Sequence, residues 1–317
     1  MKAVVIGGTG HVGGYLVPRL LALGYEVVCA SRGGHQPYQG NAAWQRVSMV
    51  SIDRTAEEQA GTFGTAIAAL APDVVVDMIC FSAASGRQLA EALRGRIRHL
   101  VTAGTIWIHG PSVQVPTREE ENRNPICDYG RNKKALEDYL LGEAWQHGLP
   151  VTLVHPGHIV GPGWNPVNPQ GHLDPIVFSK LARGERLCLP NLGLETVHHV
   201  HADDIAGLMI AALANPAAAV GEGFHAVSPA ALTLRGFAEL AAAWFGRTAD
   251  LAFARDDAWQ QGLSATDVAI TLDHISHSPN CSMDKARRLL GFTPRYSSAE
   301  AVYEAVQWLV AQGKVKN

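Results

Sequence analysis

A glycine-rich turn, Gly7-Gly8-Thr9-Gly10-His11-Val12-Gly13-Gly14, follows directly on the apolar run Ala3-Val4-Val5-Ile6 and opens a segment with apolar residues at helical spacing. Strand, glycine turn and helix in that order constrain the fold more than any other feature of the chain. Glycine permits the tight turn and lets backbone N–H groups approach an anion, which the positive end of the following helix also favours. Taken alone, the glycines also suit a plain structural turn. Their context predicts a pyrophosphate cradle for a dinucleotide, formed by Gly7, Thr9, Gly10, His11, Val12 and Gly13.

The rest of the first half repeats the alternation. Residues 2–6, 26–30, 74–79, 98–102 and 151–155 read as buried strands, and 13–23, 62–70, 85–94 and 129–147 as helices, with Gly24 and Gly148 at C-caps. Buried strands alternating with helices imply a Rossmann-type α/β fold, a doubly wound parallel sheet covered on both faces. Residues 161–169 are rich in Pro, Gly and Asn and predict a loop bordering a ligand site. A helix near 174–183, a strand at 196–200 and helices at 203–213, 233–245 and 298–311 follow. The expected organisation is a dinucleotide-binding domain over 1–165, rejoined by 196–228, and a smaller C-terminal α/β substrate lobe from 166–195 and 229–317.

The 317 residues are 47% hydrophobic and 17% charged, and 26 Lys plus Arg against 29 Asp plus Glu give a net charge of -3. That balance offers no general attraction to nucleic acid or anionic lipid. Five scattered cysteines without a CxxC pair cannot close into a complete disulfide framework, so a reducing, cytoplasmic setting is expected. The apolar run starting at Ala3 leaves no space for a signal peptide, and no run approaches the roughly 20 residues of a membrane span.

The second strand ends at Ala30-Ser31-Arg32, where an NAD site often places an acidic residue on the ribose hydroxyls. With Ser31 and Arg32 there instead, NADP is favoured over NAD, the guanidinium pairing with a 2′-phosphate. Asp53 suits either a bond from the adenine amino group or the cap of a turn. Tyr129 and Lys133, four residues apart at the start of a helix, share one face. A lysine ammonium near a phenol favours phenolate, so the pair suits proton exchange with a carbinol or carbonyl oxygen beside a nicotinamide ring.

With Tyr129-Gly130-Arg131-Asn132-Lys133 added to the glycine turn, the chain resembles an extended, partly atypical short-chain dehydrogenase/reductase of the NAD(P)-dependent epimerase/dehydratase family. The likeness runs nearly end to end, through Pro156-Gly157-His158 to Gly163, Val200-His201-Ala202-Asp203-Asp204, and Asp284 to Pro294. It implies a Ser or Thr beside the reacting oxygen. Thr105, 24 residues before Tyr129, fits that role, with Thr102 as the fallback. Catalysis is thus expected from Thr105, Tyr129 and Lys133, with Tyr129, Lys133, Pro156 and His158 also touching the cofactor. The resemblance further implies a homodimer through the helices near 85–94 and 129–147.

Three departures bear on the substrate. Asp77-Met78-Ile79-Cys80-Phe81-Ser82 replaces the usual turn after the fourth strand and resembles atypical members, including relatives of chloroplast stem-loop RNA-binding proteins. His155 stands where an Arg commonly precedes Pro-Gly, and Val197-His198-His199 where another Arg is usual. Sugar-nucleotide enzymes of the family use such arginines on the diphosphate. A less anionic, sugar-like substrate is therefore expected, contacted by Trp107, His109, His158, Trp164, Asn165, His274 and His277. No metal is expected at His198, His199 and His201, because strand alternation turns 199 away from the other two. The leading reading is an epimerase or oxidoreductase working by hydride transfer at a carbinol or keto carbon of a sugar or sugar nucleotide. The first alternative is an NADP-dependent reductase of a non-nucleotide sugar or polyol. The second is a non-catalytic dinucleotide sensor or nucleic-acid-associated protein.

Overall fold

The computed structural model describes residues 1–34, 40–121 and 123–316. The strands are β1 (Lys2–Ile6), β2 (Glu26–Ser31), β3 (Ser48–Ser51), β4 (Val74–Asp77), β5 (His99–Ala103), β6 (Val151–Pro156), β7 (His158–Val160), β8 (Leu187–Pro190), β9 (Thr196–Val197), β10 (His199–His201), β11 (Glu222–Ala226), β12 (Leu232–Thr233) and β13 (Leu251–Ala254). The helices are α1 (Gly13–Ala22), α2 (Arg54–Ala60), α3 (Phe63–Ala69), α4 (Ala83–Leu93), α5 (Asp128–His147), α6 (Ile176–Arg183), α7 (Ala202–Ala214), α8 (Pro216–Ala219), α9 (Leu234–Ala243), α10 (Ala265–His277), α11 (Asp284–Leu290) and α12 (Ser298–Ala311). Among the described residues no helix is long and apolar enough to cross a membrane.

Seven strands form one parallel sheet in the order β11-β6-β5-β4-β1-β2-β3. The chain winds outward from β1 to β3, returns to β4 on the other side of β1, and winds away again. The order reverses between β1 and β4, and open α/β sheets bind ligands outside the carboxyl ends of their strands at such a reversal. Alternation along the strands divides the burial. Val5, Val76 and Val101 face α1 and α7, whereas Val4, Val75 and Leu100 face α3, α4 and α5. A further apolar cluster, including Val177, Phe178, Leu234, Phe237, Val302 and Val306, joins α6, α9 and α12.

Several boundaries depart from the sequence pattern. The expected strand 196–200 is broken at His198 into β9 and β10, which pair with β12 and β7 rather than with the central sheet. His198 serves the fold at the break: its Nδ1 accepts from the Cys281 N–H at 3.0 Å and its Nε2 lies 2.9 Å from the Ser228 carbonyl. His199 Nε2 lies 2.9 Å from the Val167 carbonyl, and His201 caps α7 by accepting from the Asp203 N–H at 3.0 Å. The short α2 and the long α10 were not expected. Both begin at side-chain caps, Asp53 and Ser264.

The turn after β4 rests on a buried ion pair. Arg54 Nη1 reaches both carboxylate oxygens of Asp77 at 2.7 and 3.0 Å, its Nε lies 2.6 Å from Glu58, and its guanidinium covers the Phe63 ring at 4.6 Å. The side chains of Arg54 and Asp77 are only 11% and 1% exposed. Removing one partner of such a pair leaves a buried charge without compensation. Asp77→Ala is expected to cost about 3 kcal/mol, the low end for a broken buried pair because Glu58 still holds Nε. Urea unfolding checks it: an unchanged midpoint at constant slope shows that the pair contributes nothing net.

Candidate functional site

Two cavities lie along the carboxyl edge of the sheet and share Gly7, Gly10, Ile79 and Phe81 at their junction, so they form one channel. The first, of about 740 Å³, runs past Gly7, Thr9, Ser31, Arg32, Asp53 and Phe63. The second, of about 640 Å³, holds Thr105, Trp107, Tyr129, Lys133, His158 and Trp164 among its walls.

The glycine turn fits a pyrophosphate. Gly7 has φ +79°, a left-handed conformation that side chains rarely adopt, and its N–H donates to the Ala30 carbonyl at 3.1 Å. Gly10 donates back to the Gly7 carbonyl at 3.1 Å, and α1 begins at Gly13 with Val12 at its N-cap. A Cβ on Gly13 would stand 1.9 Å from the Gly8 carbonyl oxygen, so the turn and α1 meet backbone to backbone. The Gly7 and Gly10 N–H groups are both spent within the protein, and the N-terminal end of α1 supplies the donors that a diphosphate needs.

At the end of β2, Ser31 Oγ accepts from the Gly33 N–H at 3.3 Å, and Arg32 lines the first cavity without an ion-pair partner among the described residues. Asp53 takes the capping role: its Oδ1 accepts from the Thr55 and Ala56 N–H groups at 3.0 and 3.2 Å while the residue still lines the cavity. The sequence reading missed Arg54 and Glu58 in this wall, because α2 carries no apolar stripe to announce it, and Phe63, which opens α3, reads from the sequence only as a helix residue.

Thr105, Tyr129 and Lys133 meet in the second cavity. Thr105 caps the 3-10 turn Ile106–His109, accepting from the Trp107 N–H at 3.3 Å, and its side chain hydrogen-bonds Tyr129. Desolvation raises the phenol above its ordinary range, and the Thr105 bond offsets part of that rise. Lys133 is fully buried and donates to the Cys80 and Ala103 carbonyls at 2.6 and 2.7 Å, which fixes its Nζ below the cavity floor. Burial lowers the ammonium to about 8. Its Nζ lies 4.8 Å from the Phe81 ring centroid and 6.0 Å from that of Tyr129. The atypical turn 77–82 thus supplies Lys133 with both an anchoring carbonyl and an aromatic cover, contacts that YxxxK spacing does not disclose.

Behind this group, His155 Nδ1 accepts from the Thr105 N–H at 3.2 Å, and its Nε2 lies 3.3 Å from Glu137 Oε1, which also pairs with Arg123 at 2.9 Å. The residue standing in place of the family's arginine is therefore buried beneath the catalytic loop. It does not point into the cavity.

The remaining candidates separate. Trp107, His158, Trp164 and His274 line the second cavity, as does Pro156, whereas His109, Asn165 and His277 are absent from its walls. His109 turns inward, with Nε2 2.8 Å from His225 Nε2, because the three-residue period of the 3-10 turn puts it on the same face as the core residue Ile106. His277 is buried behind Trp107, stacked on the indole at 4.3 Å. His158 Nδ1 lies 3.0 Å from the His198 N–H and 3.1 Å from the His198 carbonyl, and its Nε2 is a buried polar atom with no hydrogen-bond partner among the described residues. His11 tilts against Trp164 at 5.3 Å between ring centroids, closing the channel beside the glycine turn. Asp273, not singled out from the sequence, also lines the cavity and accepts from Trp107 Nε1 at 2.9 Å. The signal was present in Ser264-x-x-Asp267, a helix-start pattern that places Asp273 and His274 on α10.

Comparison with known proteins agrees with this geometry. The chain is 29% identical over 216 residues to 2'-dehydrokanamycin reductase of Streptomyces kanamyceticus, covering 68% of this chain and 58% of that protein. It is 29% identical over 201 residues to UDP-glucose 4-epimerase of Streptomyces lividans, covering 58% and 61%. The matches thus span about three fifths of those relatives' own lengths. The fold is that of UDP-glucose 4-epimerase from Thermotoga maritima, solved with UDP-glucose, at a TM-score of 0.75 and 20% identity over 98% of this chain and 99% of that one. The sequence profile of the NAD dependent epimerase/dehydratase family matches residues 3–226, and the chain belongs to that family as an NAD(P)-dependent enzyme of the extended short-chain dehydrogenase/reductase kind.

Proposed function

We propose that the enzyme interconverts a keto and a carbinol carbon on a sugar that carries no nucleotide diphosphate, with NADP(H) as its exchangeable cofactor. The observation that carries this reading is the charge of the substrate half: among the described residues it presents no arginine, and its one lysine, Lys133, is tied to two carbonyls. A diphosphate buried there would lack a partner for its charge. The similarity to 2'-dehydrokanamycin reductase, whose name includes no nucleotide, supports a substrate without one.

In this reading the glycine turn holds the pyrophosphate, Ser31 and Arg32 the 2′-phosphate, and the remaining N–H of Lys133 the nicotinamide ribose. The bound dinucleotide supplies or takes two electrons as hydride. Tyr129 delivers a proton to the carbonyl oxygen in reduction and removes it in oxidation, while the Thr105 hydroxyl and His158 Nε2 orient the substrate oxygens.

The test is mass spectrometry of the nucleotide released on denaturing the purified protein, with fluorescence titration of stripped protein. An empty or readily emptied site preferring NADPH is expected. Tightly retained NAD overturns the reductase reading in favour of an epimerase that recycles its cofactor. Arg32→Ala is expected to weaken NADPH about 10- to 100-fold, as for a lost charge-assisted bond, and to leave NADH unchanged. Equal loss for both cofactors removes Arg32 from 2′-phosphate recognition.

A further inference from the structure

The substrate half of the channel has an uneven charge that its aromatic walls accentuate. Asp273 is the one carboxylate among its described lining residues, and it also lines a neighbouring cavity of about 660 Å³ formed by Leu173, Ala265, Thr266, Ala269, Ile270 and His274. It therefore stands where the two spaces meet. Its carboxylate has one hydrogen bond: Oδ2 accepts from Trp107 Nε1, whose indole stacks on His277, while His277 Nδ1 lies 3.6 Å from Oδ1 and 2.8 Å from the Asp273 carbonyl. One neutral donor uses one of about four acceptor positions on a carboxylate, and the side chain retains 40% exposure.

Among the described residues no lysine or arginine pairs with that charge, and the nearby His277 Nδ1 lies closer to the Asp273 carbonyl, at 2.8 Å, than to its carboxylate, at 3.6 Å. Lys133 is committed to two carbonyls. Desolvation holds His158 and His274 below the ordinary histidine range, so both are neutral near pH 7. The other walls include Phe81, Trp107, Tyr129 and Trp164, whose ring faces attract cations and disfavour anions.

We propose that the substrate carries a protonated amine that pairs with Asp273, so that this cavity is built for an amino sugar rather than for a neutral or phosphorylated one. The inference rests on the reading that the channel takes a sugar carbinol or ketone. It adds the charge of that sugar and the residue that selects it. Tyr129 and Asp273 line the same cavity, so the reacting carbon and the ammonium lie within one bound molecule, and further rings extend past Asp273 into the neighbouring space beside α10.

The experiment uses the full-length enzyme with bound NADP and three matched probes: an aminoglycoside with free amines, its fully N-acetylated derivative, and a hydroxyl analogue of the same rings. Binding is read by quenching of tryptophan fluorescence and turnover by NADPH absorbance. The free amine is expected to bind about tenfold or more tightly than either neutral probe, in line with a charge-assisted bond, and Asp273→Asn, which keeps an acceptor for Trp107, is expected to level the three. Equal or weaker binding of the free amine by the unaltered enzyme overturns the proposal, whatever the variant does. So does a preference for amine that survives in Asp273→Asn. Turnover of the neutral probes without preference for the amine keeps the proposed reaction and sinks the charge inference. Tight amine binding without turnover of any probe does the reverse.

Discussion

Replacing Tyr129 by Phe lowers turnover by a factor on the order of 10²–10⁴, the usual contribution of a positioned acid-base group, and leaves cofactor affinity unchanged. The substitution deletes only the hydroxyl. The ring keeps its place at the start of α5, where Gly130 and Arg131 continue the helix and Lys133 stays bonded to the Cys80 and Ala103 carbonyls. What disappears is the proton beside the Thr105 side chain, in the cavity that His158 also lines. Stopped-flow transfer from NADPH to a keto substrate, with NADPH affinity measured separately by fluorescence, distinguishes the two effects. Turnover within a few fold of the unaltered enzyme removes Tyr129 from the mechanism. A parallel loss of NADPH affinity assigns it to cofactor binding instead.

That Tyr129 and Lys133 line one cavity was legible in the sequence because helical geometry carries a spacing of four onto one face without help from the rest of the fold. The glycine turn was legible for a similar reason, since strand, turn and helix follow one another within the first 22 residues. What the sequence hid depends on contacts between distant segments. Lys133 spans from α5 to carbonyls 53 and 30 residues away, and Trp107 meets Asp273 across 166 residues. No local pattern reports such a meeting. Histidines were the least legible residues of all. His109 and His277 looked like ligand contacts and serve the core, whereas His158 keeps Nε2 without a partner among the described residues because the backbone of His198, on a break between two short strands, engages its other nitrogen. Asp53 shows the opposite limit: both its readings suit the same sequence, and only the geometry of α2 selects the cap.

The glycine turn supplies the second large effect, because two adjacent glycines in it are expected to respond in opposite ways. Gly13→Ala would place a Cβ 1.9 Å from the carbonyl oxygen, 2.5 Å from the carbonyl carbon and 2.8 Å from the Cα of Gly8. All three are backbone atoms of the turn, so no side-chain rotation relieves the contact. Either α1 moves away from the sheet or the turn opens, and both displace the N–H groups that face the pyrophosphate. The expected cost is about 1–3 kcal/mol of stability from overpacking, together with loss of measurable NADPH binding. Gly14→Ala meets nothing within 4 Å and lies in the first turn of α1. Alanine there gains roughly 0.5–1 kcal/mol of helix stability over glycine and should leave the cofactor in place. Thermal unfolding and NADPH titration on the pair separate a close backbone approach from a general preference for glycine in the loop. If Gly13→Ala binds NADPH as the unaltered protein does, the contact between turn and helix is not what shapes the cradle; if both variants fail, the loop's flexibility rather than its packing carries the cofactor.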